Sequence, residues 1–370
     1  MSRKEGTPVI EVYGHGGDVE TAAVKYGRLP ADFLDYSANI NPLGPPPAVT
    51  RALTEGMHHI LRYPDPGHRS LKHKLAAKLK LSDDQLLIGN GAAECMALII
   101  QAFTPAAVGT IEPGFSEYRQ LAAQYGSRIE YIYGHKELNY RAELSAILEL
   151  LDRVELLFIG QPNNPNGVQY ARSELEAIAV YARDRDVKVV IDEAFIDFIP
   201  EHERETLTDS LEPYPNVIVI HSMTKFYAIP GLRLGYAIGH PDIISAMSRK
   251  QVTWSVNGLA LLAGEACLME NSAYEEQTQA CIKEERNRLM SELPALGFQV
   301  YPGVANYLLL ETPDGWNAES LQEAMGKQGI LIRNCAMYTG LGDKSVRIAV
   351  KGRQDNSRFL EVLRLLLGEQ

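Results

Sequence analysis

Cysteine is scarce and scattered. The chain holds four, Cys95, Cys267, Cys281 and Cys335, with no CxxC pair among them. That pattern fits a reducing compartment and gives no zinc signature, so no metal centre is expected. Long apolar runs are missing too. No stretch approaches about 18 consecutive apolar residues, so no transmembrane helix is expected. The opening MSRKEGTPVIEVYGHGG has no apolar core of signal-peptide length, and a cytoplasmic location is the expectation. Positive charge is in deficit. The formal net charge of −11 argues against wholesale binding to nucleic acid or an anionic membrane, although small anions can bind in local cationic pockets. There is no internal repeat and no low-complexity tract.

What is present is 370 residues, 45% hydrophobic and 22% charged, enough for two domains with a sizeable core. From about 68 to 240 apolar β-like runs alternate with amphipathic helical stretches. The runs are QLLIGN (85–90), AVGTIEP (107–113), RIEYIYG (128–134), VELLFIGQP (154–162), VKVVIDEAF (187–195), NVIVIHS (216–222) and LRLGYAIG (232–239). SELEAIAVYARDRD (173–186) is one of the helices between them. The alternation predicts an α/β fold with a mostly parallel sheet and helices on both faces. Ligands of such sheets bind beyond the carboxyl ends of the strands. NINPLGPPPAV (39–49) reads as an extended crossing loop. Residues 255–295 turn long-helical, and the tail alternates strands (FQVYPGVANYLLLE, GILIRN, SVRIAV) with helices. The expected domains are 50–265, a large α/β unit, and 1–49 with 275–370, a small α+β unit. Residues 266–274 would link them, with the active site in the cleft between.

Five segments carry chemistry. HSMTKFYAIPGLRLGY (221–236) sets Lys225 beside Ser222 and Thr224, with Arg233 in a run that reads as a strand. A lysine near a cationic partner can be neutral enough to form a Schiff base, and the hydroxyls and arginine suit a phosphate. GNGAAE (89–94) follows a strand and opens a helix, where glycines and free N–H groups favour an anion. Alone it reads equally well as a tight turn. In VIDEAFIDF (190–198), Asp192 ends a very apolar run and needs a charged partner. It reads either as a cap or salt bridge, or as the partner of a protonated pyridine nitrogen. QPNNPNG (161–167) is a turn former that puts Asn164 at a strand end. EPGFSEY (112–118) offers Phe115 either to the core or to an aromatic cofactor ring.

In this order the segments resemble the fold-type I pyridoxal-phosphate enzymes of the aspartate aminotransferase superfamily, over nearly the whole chain. Two families within it compete, the histidinol-phosphate aminotransferases and the threonine-phosphate decarboxylases. The chain is more similar to the decarboxylases, through HGGD (15–18), DYSANINPLGPP (35–46), DEAFIDFIP (192–200), TKFYAIPGLRLGY (224–236), WSVNGLALLAGE (254–265), YPGVANYLLL (301–310) and ILIRNCAMYTGL (330–341). The transaminase relatives usually carry tyrosine where this chain has Phe195. The resemblance implies a seven-stranded large-domain sheet and pyridoxal 5'-phosphate as cofactor. It also implies decarboxylation of L-threonine O-3-phosphate to the aminopropanol phosphate linker of cobalamin. The alternative is amino transfer between histidinol phosphate and 2-oxoglutarate.

The same resemblance implies residue roles. Lys225 carries the cofactor, Asp192 pairs with its ring nitrogen, Asn164 bonds its ring oxygen and Phe115 stacks on it. The backbone of Gly91 and Ala92, with Ser222, Thr224 and Arg233, holds the cofactor phosphate. Tyr63 reaches that phosphate from a second subunit, which implies a homodimer with shared sites. Arg347 binds the substrate carboxylate, and Asn39 and Asn164 also face the substrate. His15 and Arg333 are the candidates for the substrate's own phosphate. Asp18, His221 and Asn166 depart from the commoner pattern, and Asp18 would put a carboxylate near a supposed anion site.

Overall fold

The computed structural model describes residues 10, 16–269 and 272–368. Seven strands form the central sheet: β1 (Leu86–Gly89), β2 (Ala107–Glu112), β3 (Arg128–Tyr133), β4 (Leu156–Gly160), β5 (Lys188–Asp192), β6 (Val217–Ser222) and β7 (Gly235–Gly239). Their spatial order is β1-β7-β6-β5-β4-β2-β3. Neighbours pair in parallel except β7, which runs antiparallel to both β1 and β6. Each of the seven apolar runs therefore became a strand of one sheet.

The inner strands are apolar on both sides because both faces are covered. Along β4, Leu156 and Phe158 join one core cluster while Leu157 and Ile159 join the other. β5 and β6 divide the same way, with Val190 and Ile220 on one face and Val189, Ile191 and Val219 on the opposite one. A fully buried Leu, Ile or Phe contributes roughly 1.5–3 kcal/mol, so this double-sided burial fixes the register of the strands that carry the site. β3 lies at the edge, and Tyr131 and Tyr133 are exposed along it.

A second, antiparallel sheet is built from β8 (Gln299–Tyr301), β9 (Tyr307–Glu311), β10 (Arg333–Asn334) and β11 (Ser345–Ala349), in the order β10-β11-β9-β8. The segment GILIRN divides. Ile330–Leu331 pairs in parallel with Leu34–Asp35, and after Ile332 the chain joins β11. The N-terminal segment is stitched to this sheet again where Ala349 N–H donates to the Tyr36 carbonyl and Asn306 Nδ2 to the Asn39 carbonyl.

Three local readings needed correction. Arg233 is not in a strand. It adopts φ +56° in a turn, and β7 starts two residues later, because the Pro230–Leu232 turn must first reverse the chain. A helix starts at Pro47, inside the stretch expected to be extended, where proline's fixed φ suits a first turn. The long helical region is two helices, Gly258–Cys267 and Ser272–Glu292.

Candidate active site

Strand ends build the site. β1 ends at Gly89 and leads through Gly91 into helix α1 (Ala92–Phe103). β2 leads to Phe115 and helix α2 (Ser116–Gln124). β4 leads to Asn164, β5 ends on Asp192, and β6 ends on Ser222 just before the short helix that carries Lys225. All five are carboxyl ends of parallel strands, where helix N-termini and loop N–H groups converge. Together with β10 and β11 they enclose a cleft of about 360 Å³.

Ala92, Phe115, Asn164, Asp192, Ser222, Thr224, Lys225, Arg233, Asn39, Arg333 and Arg347 all line this one cleft. Gly91 stands against it. A Cβ there would lie 2.8 Å from Arg233 Nη2, and the residue has φ +82°, so only glycine lets the guanidinium approach. Gly91 is also the N-cap of α1 and offers no side-chain cap, which leaves the first N–H groups of a twelve-residue helix for an anion. Ser222 Oγ and Thr224 Oγ1 lie 2.8 Å apart beside them. Tyr63 is elsewhere. It is exposed and stacks on Trp254 at 4.5 Å. His15 lies outside the described residues.

Lys225 sits among cations. Burial first, then Arg233 and Arg347, lower its pKa to about 8. Asp192 is pushed the other way, above the ordinary carboxylate range, by burial. Its Oδ2 accepts from the Tyr118 hydroxyl at 2.6 Å and its Oδ1 from Ala194 N–H at 3.0 Å. These are neutral donors, so a cationic ligand at this carboxylate would relieve the burial penalty.

Arg347 donates through Nη1 to Asn164 Oδ1 and through Nη2 to the Ser37 carbonyl at 2.9 Å. An arginine has only donors, so it takes the amide oxygen and leaves Asn164 Nδ2 as the free end of that side chain. Asn39 Oδ1 and Arg347 Nε are buried, and neither has a hydrogen-bond partner among the described residues. In a cleft, such atoms can be satisfied by water or by a ligand.

A family profile, Aminotransferase class I and II, matches residues 31–363. The chain belongs to that family. Within the aminotransferase family it is 41% identical over 360 residues to the threonine-phosphate decarboxylase of Salmonella typhimurium, covering 95% of this chain and 96% of that one. The crystal structure of histidinol-phosphate aminotransferase from Clostridium acetobutylicum aligns with a TM-score of 0.85 at 32% identity, covering 91% of this chain and all of that one. A Sinorhizobium meliloti histidinol-phosphate aminotransferase in complex with pyridoxal-5'-phosphate aligns with a TM-score of 0.84 at 22% identity, covering 99% of each chain, and shows the fold alone.

The cleft fits pyridoxal phosphate by its donor set. It offers an amine of lowered pKa, a carboxylate with no ion-pair partner among the described residues, and an uncapped helix N-terminus beside two hydroxyls and an arginine. Phe195 lines the cleft with its ring edge-on to Tyr307 at 4.9 Å, so no hydroxyl is supplied from that position.

Sequence reading passed over several cleft residues. Tyr118 lies within EPGFSEY, but a tyrosine in the first turn of a helix reads as core until the fold brings the end of β5 to it. Glu117, Tyr338 and Ser37 were missed for the same reason. The three departures are structural. Asp18 caps the helix Val19–Tyr26 by accepting from Thr21 N–H at 3.1 Å. His221 Nε2 meets Glu193 at 3.0 Å, and its ring stacks on Tyr236. Asn166 is fully buried. It accepts from Asn163 and donates to the carbonyls of Asn139 and Tyr140.

Proposed function

We propose that the protein is a pyridoxal-phosphate-dependent carbon–carbon lyase that converts L-threonine O-3-phosphate to (R)-1-amino-2-propanol O-2-phosphate and carbon dioxide. The product would serve as the linker of the cobalamin nucleotide loop. The observation that carries the reading is the pair Arg333 and Arg347. They are direct partners across β10 and β11, both are buried, and both line the cleft beside Lys225. A substrate bearing a carboxylate and a phosphate supplies one anion for each. The 41% identity to the Salmonella enzyme favours decarboxylation over amino transfer.

When bound, pyridoxal phosphate supplies an electron sink for the pair left on the substrate's Cα. Gly91 and Ala92 N–H groups, Ser222, Thr224 and Arg233 would hold its phosphate. Phe115 would cover the ring, Asn164 Nδ2 would donate to the ring oxygen, and Asp192 would pair with the ring nitrogen. Lys225 would hold the cofactor covalently, yield to the substrate amine, and return a proton to Cα after carbon dioxide has left. Arg347 would grip the carboxylate and set the Cα–carboxylate bond perpendicular to the ring. Arg333, with Asn39 and His15, would take the substrate phosphate. A transaminase would use the same residues with Cα–H in the perpendicular position.

The active unit in this reading is a homodimer. Met57, Ile60, Leu61, Tyr63, Val252 and Trp254 form an exposed apolar surface, and Arg233 is exposed in the single chain. A second copy seated there would bring its Tyr63 to the cofactor phosphate.

The test is incubation with pyridoxal phosphate and L-threonine O-phosphate without keto acid. Release of carbon dioxide and aminopropanol phosphate at catalytic turnover is expected. If neither appears while histidinol phosphate plus 2-oxoglutarate yields glutamate, the protein is the transaminase.

A further inference from the structure

Ser37 is buried and lies on the cleft wall, yet it reads as an ordinary loop serine. Its surroundings are built. Asp35 Oδ1 accepts from Ser37 N–H at 2.8 Å, from Ser37 Oγ at 2.6 Å and from Ala38 N–H at 3.3 Å. That turn fixes both polar atoms of Ser37. Its Oγ, already donating to Asp35, accepts from Gly17 N–H at 2.8 Å. Its carbonyl accepts from Arg347 Nη2 at 2.9 Å. Gly16 lies directly over the same carbonyl: a Cβ on Gly16 would fall 2.2 Å from the Ser37 oxygen. Gly16 itself lines the cleft. One residue thus anchors two pieces of the site that come from opposite ends of the chain.

We propose that Ser37 is a positioning residue that sets the aim of Arg347 and the seat of Gly16–Gly17 together, and so tunes the grip on the substrate carboxylate. The inference rests on the reading of Arg347 as the carboxylate-binding arginine. The hydroxyl is engaged with Asp35 and Gly17, so its effect falls on substrate affinity. A guanidinium held at one nitrogen by Asn164 and at another by the Ser37 carbonyl loses no rotamer freedom when a carboxylate arrives. Freed from one anchor, it must be ordered by the substrate. In Ser37→Ala the backbone bonds to Asp35 remain, so the Gly17 anchor is lost first. In Asp35→Ala the whole turn is released.

The experiment uses the holoenzyme. KM and kcat for L-threonine O-phosphate are measured in wild type, Ser37→Ala, Ser37→Thr and Asp35→Ala. The dissociation constant of pyridoxal phosphate, and of succinate as a carboxylate probe, is measured alongside. Ser37→Ala keeps the main-chain carbonyl that holds Arg347, so it should raise KM and the succinate constant only about two- to threefold through the lost Gly17 anchor, the low end for one lost hydrogen bond, with kcat and cofactor affinity unchanged. Asp35→Ala, which releases the turn that aims that carbonyl, should raise both about five- to tenfold, and Ser37→Thr should match wild type. The inference is overturned if Ser37→Ala and Asp35→Ala both stay within twofold of wild type. It is also overturned if cofactor affinity falls in step with KM, the mark of a merely structural residue. Lack of turnover in wild type removes the decarboxylase reading, but the succinate series still decides the role of Ser37. If wild type neither turns over nor binds succinate, the carboxylate-arginine premise fails and the inference with it.

Discussion

Arg333 and Arg347 stand directly opposite each other on adjacent antiparallel strands, and both are buried. Like charges in that relation repel, more so away from water. Arg333 spends part of its charge on soft partners, the Met337 sulfur at 3.1 Å and the Tyr338 ring at 5.9 Å. An anion bound between the two guanidinium groups would offset that repulsion.

Arg333→Gln tests this. KM for the phosphorylated substrate should rise roughly 10- to 100-fold, the worth of a hydrogen bond to a charged group, with a smaller change in kcat. Added inorganic phosphate should raise the melting temperature of wild type more than that of the variant. An unchanged KM would place the substrate phosphate elsewhere.

Lys225 gives a pH prediction. Its folded pKa of about 8 lies below that of an unfolded lysine, about 10.4. Between those values the unfolded chain binds the extra proton, so cofactor-free protein gains stability as pH rises from about 8 to about 10.4. Lys225→Met should remove that gain and be the more stable protein near pH 7. Covalent capture of pyridoxal phosphate, followed by visible absorbance, should speed up through pH 8 as the amine loses its proton. Arg347→Gln should move that midpoint upward, since Arg347 is one of the charges that depress it.

Tyr118 and Asp192 form the third test. Burial holds the Asp192 carboxyl above its ordinary range, and the Tyr118 hydroxyl opposes that. Tyr118→Phe should push the carboxyl higher still and weaken its hold on a ring nitrogen, lowering kcat roughly 10- to 100-fold, the cost of one hydrogen bond to a charge. Asp192→Asn should lower kcat by roughly 10²–10³. The sign on stability is opposite. A carboxyl with a raised folded pKa costs the fold stability as pH climbs past its ordinary range. The cofactor-free Asp192→Asn protein should therefore melt higher than wild type at pH 7.

The inner strands were legible because both faces of the sheet are covered, so runs such as LLFI (156–159) and VIVI (217–220) had to be apolar on both sides. Phosphate-type turns were legible because Gly91 must hold φ +82° beside Arg233. Contacts between distant segments were not. Nothing in EPGFSEY says that Tyr118 will end 2.6 Å from Asp192, seventy-four residues on. Nothing in DYSANIN says that Ser37 will meet an arginine three hundred and ten residues away. Side chains whose task is set by a partner across the fold carry no local signal. Arg233 shows the converse failure. LRLGY alternates like a strand, but the preceding Pro230–Leu232 turn governs the backbone at 233.

Tyr63 tests the dimer. It stacks on Trp254 at the surface and lines no part of its own chain's cleft. If each site takes Lys225 from one copy and Tyr63 from the other, two impaired variants can restore a site between them. Lys225→Ala should be inactive, and Tyr63→Ala should hold cofactor weakly and turn over slowly at limiting pyridoxal phosphate. In a Lys225→Ala/Tyr63→Ala mixed dimer one site carries both lesions and the other carries neither. Refolding an equal mixture should yield about a quarter of wild-type activity, since about half the dimers are mixed and each has one intact site. Sedimentation of the mixture should show the dimer mass. No recovery above the sum of the separate variants, with dimers present, would put Tyr63 outside the site.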